Sequence, residues 1–207
     1  SIHKSKGLEF PMVFVSGLGK LFNQQDARAS LVIHPDLGIG AEWIDTKRRT
    51  KAPTLLKKAV QRQIQLENLG EELRVLYVAL TRAKEKLYLT GAVSKLEKRL
   101  EGLEIVKNEE ETRLSYGKLV KARTYLDWIF PALARHSCMD GLYQQYEYSC
   151  PVSHPLHEEN APFLIAVKSP VEFVLSEAKE RSEQLIKEQE LIAGMESASS
   201  DERIKKE

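Results

Sequence analysis

One stretch, residues 71–89, constrains the fold more than any other part of this 207-residue chain. Its apolar residues recur at i, i+3, i+4 and i+7, which places them on one face of a helix. These residues are Leu73, Leu76, Tyr77 and Leu80. The apolar run at 87–89 then predicts a short strand. Arg82 lies at the junction between the helix and the strand, and its always-charged, five-donor guanidinium suits a phosphate.

Two interpretations of Arg82 stand side by side. An arginine at a helix end is commonly solvated or paired with the last carbonyl groups of the helix. However, Val-Leu-Tyr-Val-Ala-Leu-Thr-Arg-Ala-Lys at 75–84, preceded by two glutamates, resembles the last conserved motif of superfamily 1 DNA helicases of the UvrD/RecB type. The resemblance implies that Arg82 is an arginine finger. It would reach the γ-phosphate of ATP bound between two RecA-like motor domains.

The polar segment 1–10, Ser-Ile-His-Lys-Ser-Lys-Gly-Leu-Glu-Phe, precedes a short apolar run at 12–15. This order predicts a loop that leads into a buried strand, and Gly7 gives the loop the backbone freedom for a close approach to a ligand. The segment resembles the fifth motif of the same helicases, His-x-Ser-Lys-Gly-Leu-Glu-Phe. It also lies on the expected N-terminal side of Arg82.

The resemblance implies roles for five further residues of this loop. Gly7 would place its peptide beside the nucleotide phosphates, and Glu9 would bind the ribose or orient the site. His3 would contact the backbone of single-stranded DNA, with Lys4 and Lys6 adding phosphate contacts. For each side chain a structural alternative stays open: a capping or surface histidine, a helix-terminal carboxylate, and solvated lysines.

The composition favours a protein of the reducing cytoplasm. It does not give the chain the overall positive charge that would attract nucleic acid to its whole surface. Thirty-one basic and thirty acidic residues leave a net charge of +1, so any DNA contact must be local. Cys138 and Cys150 cannot form a disulfide framework, and no apolar run is long enough to span a bilayer. Because the sequence starts at Ser1 inside a motif, we interpret it as a fragment of a longer protein.

Between the two motifs, residues 31–34 predict a strand that turns through 35–38 into 39–43, which makes a surface hairpin. This interval resembles the AddA (RexA) family of bacterial helicase-nuclease subunits. A local basic cluster follows. It is interpreted either as a solvated loop or as a surface that faces DNA. Its members are Lys47, Arg48, Arg49 and Lys51.

Several helices are predicted after this hairpin. Pro53 suits the first turn of a helix that runs to about Asn68 and ends at Gly70, and a capping box from Asn68 to Glu71 would start the next helix. Ser94 would cap a short helix that ends at Leu100. The acidic residues 109–111 predict a solvated connecting segment, and we place an approximate domain boundary there.

The second half of the sequence predicts a mostly helical extension. Residues 116–135 read as one amphipathic helix, with Pro131 as a candidate kink. This helix carries an aromatic cluster of Tyr125, Trp128 and Phe130. The cluster is interpreted either as part of a packed core or a docking face, or as a surface on which bases stack. Cys150, His154 and His157 lack the spacing of a zinc site, so no metal site is predicted. A strand is predicted at 163–167, with 146–148 as its candidate partner, and a charged linker helix after residue 170.

Together these patterns predict an α/β fold. Residues 1–108 would be the C-terminal part of a RecA-like (P-loop NTPase type) second motor domain, and residues 109–207 a mostly helical extension toward a missing downstream domain. The predicted function is that of a fragment of an AddA-like ATP-dependent DNA helicase/nuclease subunit that acts in DNA double-strand-break repair. The alternatives are a non-catalytic partner-docking module and a structural piece without a site.

The resemblance also implies the cofactor and the partners. ATP with Mg²⁺ would be bound mainly by a missing N-terminal motor domain, because this sequence has no Gly-x-x-x-x-Gly-Lys-Ser/Thr loop. The chain alone would therefore be inactive. The expected partners are single- and double-stranded DNA, the missing motor domain and a second, AddB-like helicase-nuclease subunit. No membrane is expected.

Overall fold

The computed structural model describes residues 7–151, 154–159, 162–169, 171–172, 174, 179–182 and 184, without the side chain of Asp26. The chain divides between Pro162 and Phe163 into two compact units. Within the described residues, the first unit combines helices with three two-stranded sheets, so the predicted mixture of helices and strands is confirmed.

The elements of the first unit have the following bounds. The strands are β1 (Phe10–Val15), β2 (Val32–His34), β3 (Gly38–Gly40), β4 (Glu42–Asp45), β5 (Thr50–Pro53) and β6 (Ala83–Leu89). The helices are α1 (Gln25–Arg28), α2 (Leu55–Leu80), α3 (Leu96–Glu101), α4 (Glu104–Lys107), α5 (Tyr116–Leu119), α6 (Leu126–Leu133) and α7 (Asp140–Gln145), with a 3₁₀ turn at Ser137–Met139.

The two motifs meet in the parallel pair of β1 and β6, which confirms both predicted strands, but the predicted burial of the first strand is wrong because Met12 and Phe14 on β1 are exposed. Val13 pairs with Leu87, and Val15 pairs with Leu89. A parallel pair needs a long crossover connection, and residues 16–82 supply it with two hairpins and α2. The two motifs, far apart in sequence, therefore lie side by side.

The crossover carries two antiparallel hairpins. The pair of β2 and β3 confirms the predicted hairpin, with Ile33 opposite Ile39. The pair of β4 and β5 was not predicted. The placement of Pro53 in the first turn of a helix is wrong, because Pro53 ends β5 and Thr54 caps α2 by accepting the N–H of Lys57 at 3.1 Å.

Helix α2 is continuous over 26 residues, so the predicted end at Gly70 and the predicted new start at Asn68–Glu71 are wrong. A glycine inside a helix costs only about 1 kcal/mol. Leu69 and Leu76, one on each side of Gly70, both pack against the hydrophobic core, and this packing offsets the cost.

One hydrophobic core cluster of the first unit brings α2 against the segment after β1 and against α6. Its buried members are Leu18, Leu76, Ala122, Leu126 and Trp128. Phe22 contacts the rings of Tyr125 and Trp128, with centroids 4.9 Å and 5.2 Å away. Phe130 packs against the same core, so the packed-core interpretation of the aromatic cluster is confirmed.

Two helix predictions in this region are wrong. Residues 116–135 form α5 and α6 rather than one helix, because the Asp127 carboxylate accepts the N–H groups of Arg123 and Thr124 at 2.8 Å and 2.9 Å and turns the chain between the two helices. Ser94 does not cap α3, which starts after Lys95 without a side-chain cap.

The acidic connecting segment at residues 109–111 is held by hydrogen bonds from a buried side chain of the first unit. Arg135 is completely buried, and its guanidinium donates to the carbonyl oxygen atoms of Glu109, Glu111 and Thr112. The connection is therefore more than a solvated link. The functional boundary predicted after residue 108 stays a prediction.

In the second unit, residues 163–169 adopt no regular secondary structure, so the predicted strand at 163–167 is wrong. Phe163, Leu164 and Val167 are exposed, Leu164 to 95%, so most of the burial that would stabilise a strand is missing. Ser169 and Glu172 form a reciprocal capping box, and the described residues that follow are helical. The rest of the predicted linker helix lies outside the described residues.

Candidate nucleotide-facing site

Arg82 is held at the C-terminus of α2 by three described hydrogen bonds. Its Nε donates to the carbonyl oxygen of Val78 at 3.0 Å, and its Nη2 donates to Oγ1 of Thr81 at 3.1 Å. Its Nη1 donates to the carbonyl oxygen of Leu8 at 2.9 Å. All three acceptors are neutral oxygen atoms, and these three contacts orient the guanidinium.

The end of the helix explains this arrangement. Thr81 follows the last helical residue, and its hydroxyl donates to the carbonyl groups of Tyr77 and Val78. Carbonyl groups in the last turn carry partial negative charge, which favours a cation. The contact with Val78 is the one expected in the structural alternative for Arg82, whereas the role of Arg82 at a phosphate stays a prediction.

The structure brings Gly7, Glu9 and Arg82 together at the N-terminal ends of β1 and β6. The backbone N–H of Phe10 donates to the carbonyl oxygen of Arg82 at 2.9 Å, which fixes the two segments side by side. Gly7 has a φ of 85°, a left-handed conformation that glycine adopts without strain. Glu9 forms an ion pair with Lys84 at 3.3 Å between Oε2 and Nζ.

Three of the predicted site residues, His3, Lys4 and Lys6, lie outside the described residues. Their predicted contacts with DNA therefore stay predictions. The described part of the loop, Gly7 to Glu9, leads directly into β1 beside Arg82.

Comparison with known proteins agrees with this pairing of motifs. Residues 1–94, which contain both, match the UvrD-like helicase C-terminal domain. These residues belong to the UvrD-like helicase C-terminal domain family. The hydrogen bond between Arg82 and the carbonyl oxygen of Leu8 thus joins the first and the last motif of this UvrD-like segment.

Longer relatives extend the similarity beyond this UvrD-like domain. The chain is 50% identical over 143 residues to the A subunit of the ATP-dependent helicase/nuclease of Clostridium perfringens (strain SM101 / Type A), a match that covers 69% of this chain and 11% of the relative. The corresponding proteins of Clostridium kluyveri (strain ATCC 8527) and Acetivibrio thermocellus are 46% identical over 138 residues and 49% identical over 142 residues. These matches cover 67% and 69% of this chain, and it spans 11% of either relative's length.

Large apolar side chains are exposed on α2 and along the two strands of the UvrD-like domain that begin at the site. Of the predicted apolar stripe on α2, only Leu76 is buried, while Leu73, Tyr77 and Leu80 are exposed. Both strands of the parallel sheet also present exposed side chains, namely Phe10, Met12, Phe14, Tyr88 and Leu89. Exposed apolar side chains that cluster on one surface are typical of sites that contact a protein, a ligand or a membrane.

Sequence reasoning missed the groups that hold Arg82. The acceptor on Leu8 is a backbone carbonyl, which leaves no mark in the sequence. The ion pair of Glu9 with Lys84 was missed as well, because it depends on strand pairing. Only the Thr-Arg pair at a helix end was a readable signal for the contact with Thr81.

Other candidate chemistry lies elsewhere in the first unit. His157 binds Asp140 at 2.9 Å, and His154 binds the carbonyl oxygen of Glu110 at 3.2 Å. Within the described residues, no group of three or more His, Cys, Asp or Glu side chains is placed to hold a metal ion. Nor does any helix among them have the length and apolar character to cross a membrane.

A cleft of about 630 Å³ lies past the carboxyl ends of β1 and β6, at the opposite end of the sheet from Arg82. Gly19, Ala92, Lys98 and Phe130 are among the residues that line it. It therefore does not belong to the site around Arg82.

Proposed function

We propose that this chain is part of an AddA-like ATP-dependent DNA helicase/nuclease subunit, in which residues 1–108 complete a RecA-like second motor domain. The observation that carries the proposal is the hydrogen bond from Arg82 to the carbonyl oxygen of Leu8, which ties the arginine to the loop of the other motif. The similarity to the A subunits of bacterial helicase/nucleases supports the same conclusion.

In this proposal Arg82 acts as an arginine finger. ATP with Mg²⁺ is bound mainly by the other motor domain of the longer protein, and Arg82 stabilises the negative charge that develops on the γ-phosphate. Arginine fingers contribute about 10³- to 10⁵-fold in turnover in related NTPases. Three neutral acceptors keep the guanidinium oriented before the reaction, which lowers the cost of organising it in the transition state.

The remaining site residues take roles around the same nucleotide. The left-handed backbone of Gly7 lets the peptide lie close to the phosphates, and Glu9 binds the ribose or orients the site. His3, Lys4 and Lys6 contact the backbone of single-stranded DNA. Because Leu8 connects this loop to Arg82, a shift of the loop on DNA is transmitted to the catalytic arginine.

The chain requires partners in this proposal. It has no phosphate-binding Gly-Lys-Ser/Thr loop, so hydrolysis depends on the other motor domain. The exposed apolar residues of α2 and of the parallel sheet are covered by the rest of the longer protein. DNA is the substrate, an AddB-like subunit is the second partner, and double-strand-break repair is the process served.

The test compares variants of the longer protein by DNA-stimulated ATP hydrolysis. Arg82→Ala lowers kcat by about 10³-fold, while KM for ATP changes by less than about threefold, because the arginine acts mainly in the transition state. Arg74→Ala is the matched control, since Arg74 lies on the same helix, is exposed and pairs with Glu71. Turnover that survives in Arg82→Ala, at the level of the control, rules out the motor function.

A partner-docking module without catalysis is the second candidate, and the exposed apolar stripe with Leu73 and Tyr77 favours it. In that case Arg82→Ala leaves hydrolysis unchanged, whereas Tyr77→Lys disrupts assembly of the longer protein. The same pair of variants therefore separates the two functions.

A further inference from the structure

The hairpin of β4 and β5 concentrates positive charge. Residues 42–53 contain four basic and two acidic residues, although the net charge of the whole chain is only +1. Three of the basic residues, Lys47, Arg48 and Arg49, are consecutive and form the turn between the strands with Thr46. We call these three residues the basic tip.

Both acidic residues of the hairpin are engaged in local contacts. Asp45 accepts the backbone N–H groups of Lys47 and Arg48 at 2.9 Å and 3.1 Å, which fixes the turn. Glu42 accepts from Lys57 at 2.8 Å, and this hydrogen bond, reinforced by Lys51, lowers the pKa of its carboxyl group. The carboxylates thus organise the hairpin base and the turn.

The side chains of the basic tip are available for a ligand. Within the described part of the chain, Lys47 and Arg49 form no ion pair, and Arg48 contacts Asp45 only at 4.0 Å with 84% of its side chain exposed. Such a contact contributes at most about 1 kcal/mol, so an anionic ligand displaces it easily.

Arg49 occupies a backbone conformation that does not favour arginine. Its φ is 51°, in the left-handed region, where a non-glycine residue costs about 1–2 kcal/mol. Glycine or asparagine would relieve this strain. A strained position that holds a long cation points to a use for that cation.

Trp43 lies on β4 beside the tip, and 57% of it is exposed. Its cross-strand neighbour is the small residue Ala52, which leaves the indole ring uncovered on that side. The other tryptophan of the chain, Trp128, is 5% exposed and belongs to the core.

We propose that this hairpin binds single-stranded DNA, with the basic tip on the phosphates and Trp43 stacked on an unpaired base. Cationic side chains that track the backbone and aromatic rings that stack on bases are the two elements of single-strand recognition. An exposed ring selects an unpaired base, because the faces of paired bases are covered by their neighbours. The inference deepens the proposed function by adding a DNA contact separate from the loop at residues 1–9.

The test uses the 207-residue chain, a 20-nucleotide oligothymidylate and no ATP. Stacking quenches the fluorescence of Trp43, and Trp43→Phe abolishes the quenching, because the buried Trp128 does not respond. Trp43→Phe weakens binding by less than Trp43→Leu, which loses about tenfold in affinity because stacking contributes about 1–3 kcal/mol per base.

Charge is tested with the triple variant Lys47→Gln, Arg48→Gln, Arg49→Asn, in which asparagine tolerates the left-handed backbone. Affinity falls at least tenfold, and the slope of log K against log salt concentration falls by about 2, since each phosphate contact on a single strand contributes about 0.7. The control triple Lys95→Gln, Lys98→Gln, Arg113→Gln removes the same charge from exposed positions elsewhere and changes affinity less than twofold.

Three results overturn the inference. They are an equal loss of affinity in the control triple, quenching that persists in Trp43→Phe, and equal competition by duplex DNA or polyglutamate. Because ATP is absent, these outcomes do not depend on Arg82. A failed hairpin test is therefore distinct from a failed kinetic test of Arg82→Ala.

Discussion

Nη1 of Arg82 donates a hydrogen bond to the carbonyl oxygen of Leu8, 2.9 Å away and 74 positions earlier in the chain. The parallel pairing of β1 with β6 makes this contact possible, because both residues precede their strands at the same end of the sheet. The position of the guanidinium therefore depends on the loop that contains Gly7 and Glu9.

Thr81 positions this guanidinium. Its Oγ1 accepts from Arg82 and donates to the last turn of α2, so Thr81→Val removes one orienting contact. We expect kcat for ATP hydrolysis in the longer protein to fall about tenfold with KM unchanged, the effect of one hydrogen bond to a charged group. Thr81→Ser keeps the hydroxyl and restores turnover. A residue that serves only the helix end would show no such rescue of kcat.

Gly19 and Gly70 respond in opposite directions to the same substitution. A Cβ on Gly19 would lie 2.1 Å from the carbonyl oxygen of Ala92, so Gly19→Ala lowers the free energy of unfolding by about 2 kcal/mol or more. Gly70 lies inside α2 with nothing within 4 Å of its Cβ position, and Gly70→Ala raises the free energy of unfolding by about 1 kcal/mol. Urea titrations measure both changes, and equal changes contradict the packing described for Gly19.

Asp127 makes the stability of the fold depend on acidity. Burial raises its pKa, but the N–H groups of Arg123 and Thr124 together with Arg99 outweigh burial and hold that pKa below the usual 3.8. The unfolded chain therefore takes up the proton at a higher pH than the folded chain. The stabilisation is complete above pH 3.8 and is lost as the pH falls through the folded pKa.

Asp127→Asn tests this dependence. We expect its free energy of unfolding to be about 2 kcal/mol lower than that of the wild type at pH 7, with the difference shrinking below pH 3.8. Asp36→Asn, at an exposed position, is the control and changes neither quantity. A difference that stays constant down to low pH would show that the charge of Asp127 is not involved.

Arg135 holds the acidic connection in place. Arg135→Met leaves the carbonyl groups of Glu109 and Thr112 without their buried donor, so the free energy of unfolding falls by about 3 kcal/mol. A glutamate-specific protease then cleaves the connection faster than in the wild type, while the exposed Arg113→Met variant is cleaved at the wild-type rate. Unchanged cleavage of Arg135→Met contradicts the bound connection.

The strands beside the site were predictable from sequence because each contains a short apolar run, at 12–15 and at 87–89, although the charged start of β6 was not predicted. The continuity of α2 was not, because the local cost of Gly70 is offset by core contacts of Leu69 and Leu76 that only the folded chain contains. The separation of α5 from α6 likewise depends on backbone groups bound by Asp127. Hairpin β4–β5 escaped prediction because β5 has no apolar alternation and pairs only through β4.

Part of the candidate site was likewise predictable from sequence, and part of it was not. Arg82, Gly7 and Glu9 were recognised from motif patterns, which report side-chain identity. The acceptor on Leu8 is a backbone oxygen, and its contact with Arg82 follows from the parallel register of β1 and β6. The sequence therefore identified the site residues, whereas the contacts between them could be seen only in the folded structure.

Binding of a transition-state analogue most directly tests the proposed role of Arg82. In the longer protein with DNA, we expect Arg82→Ala to weaken binding of Mg²⁺-ADP-aluminium fluoride by about 10³-fold, because an arginine finger contacts charge that only this analogue mimics. Binding of Mg²⁺-ADP should change less than about threefold, and Arg74→Ala should alter neither. Equal affinity of wild type and Arg82→Ala for the aluminium fluoride complex would contradict the assignment of Arg82 to the γ-phosphate.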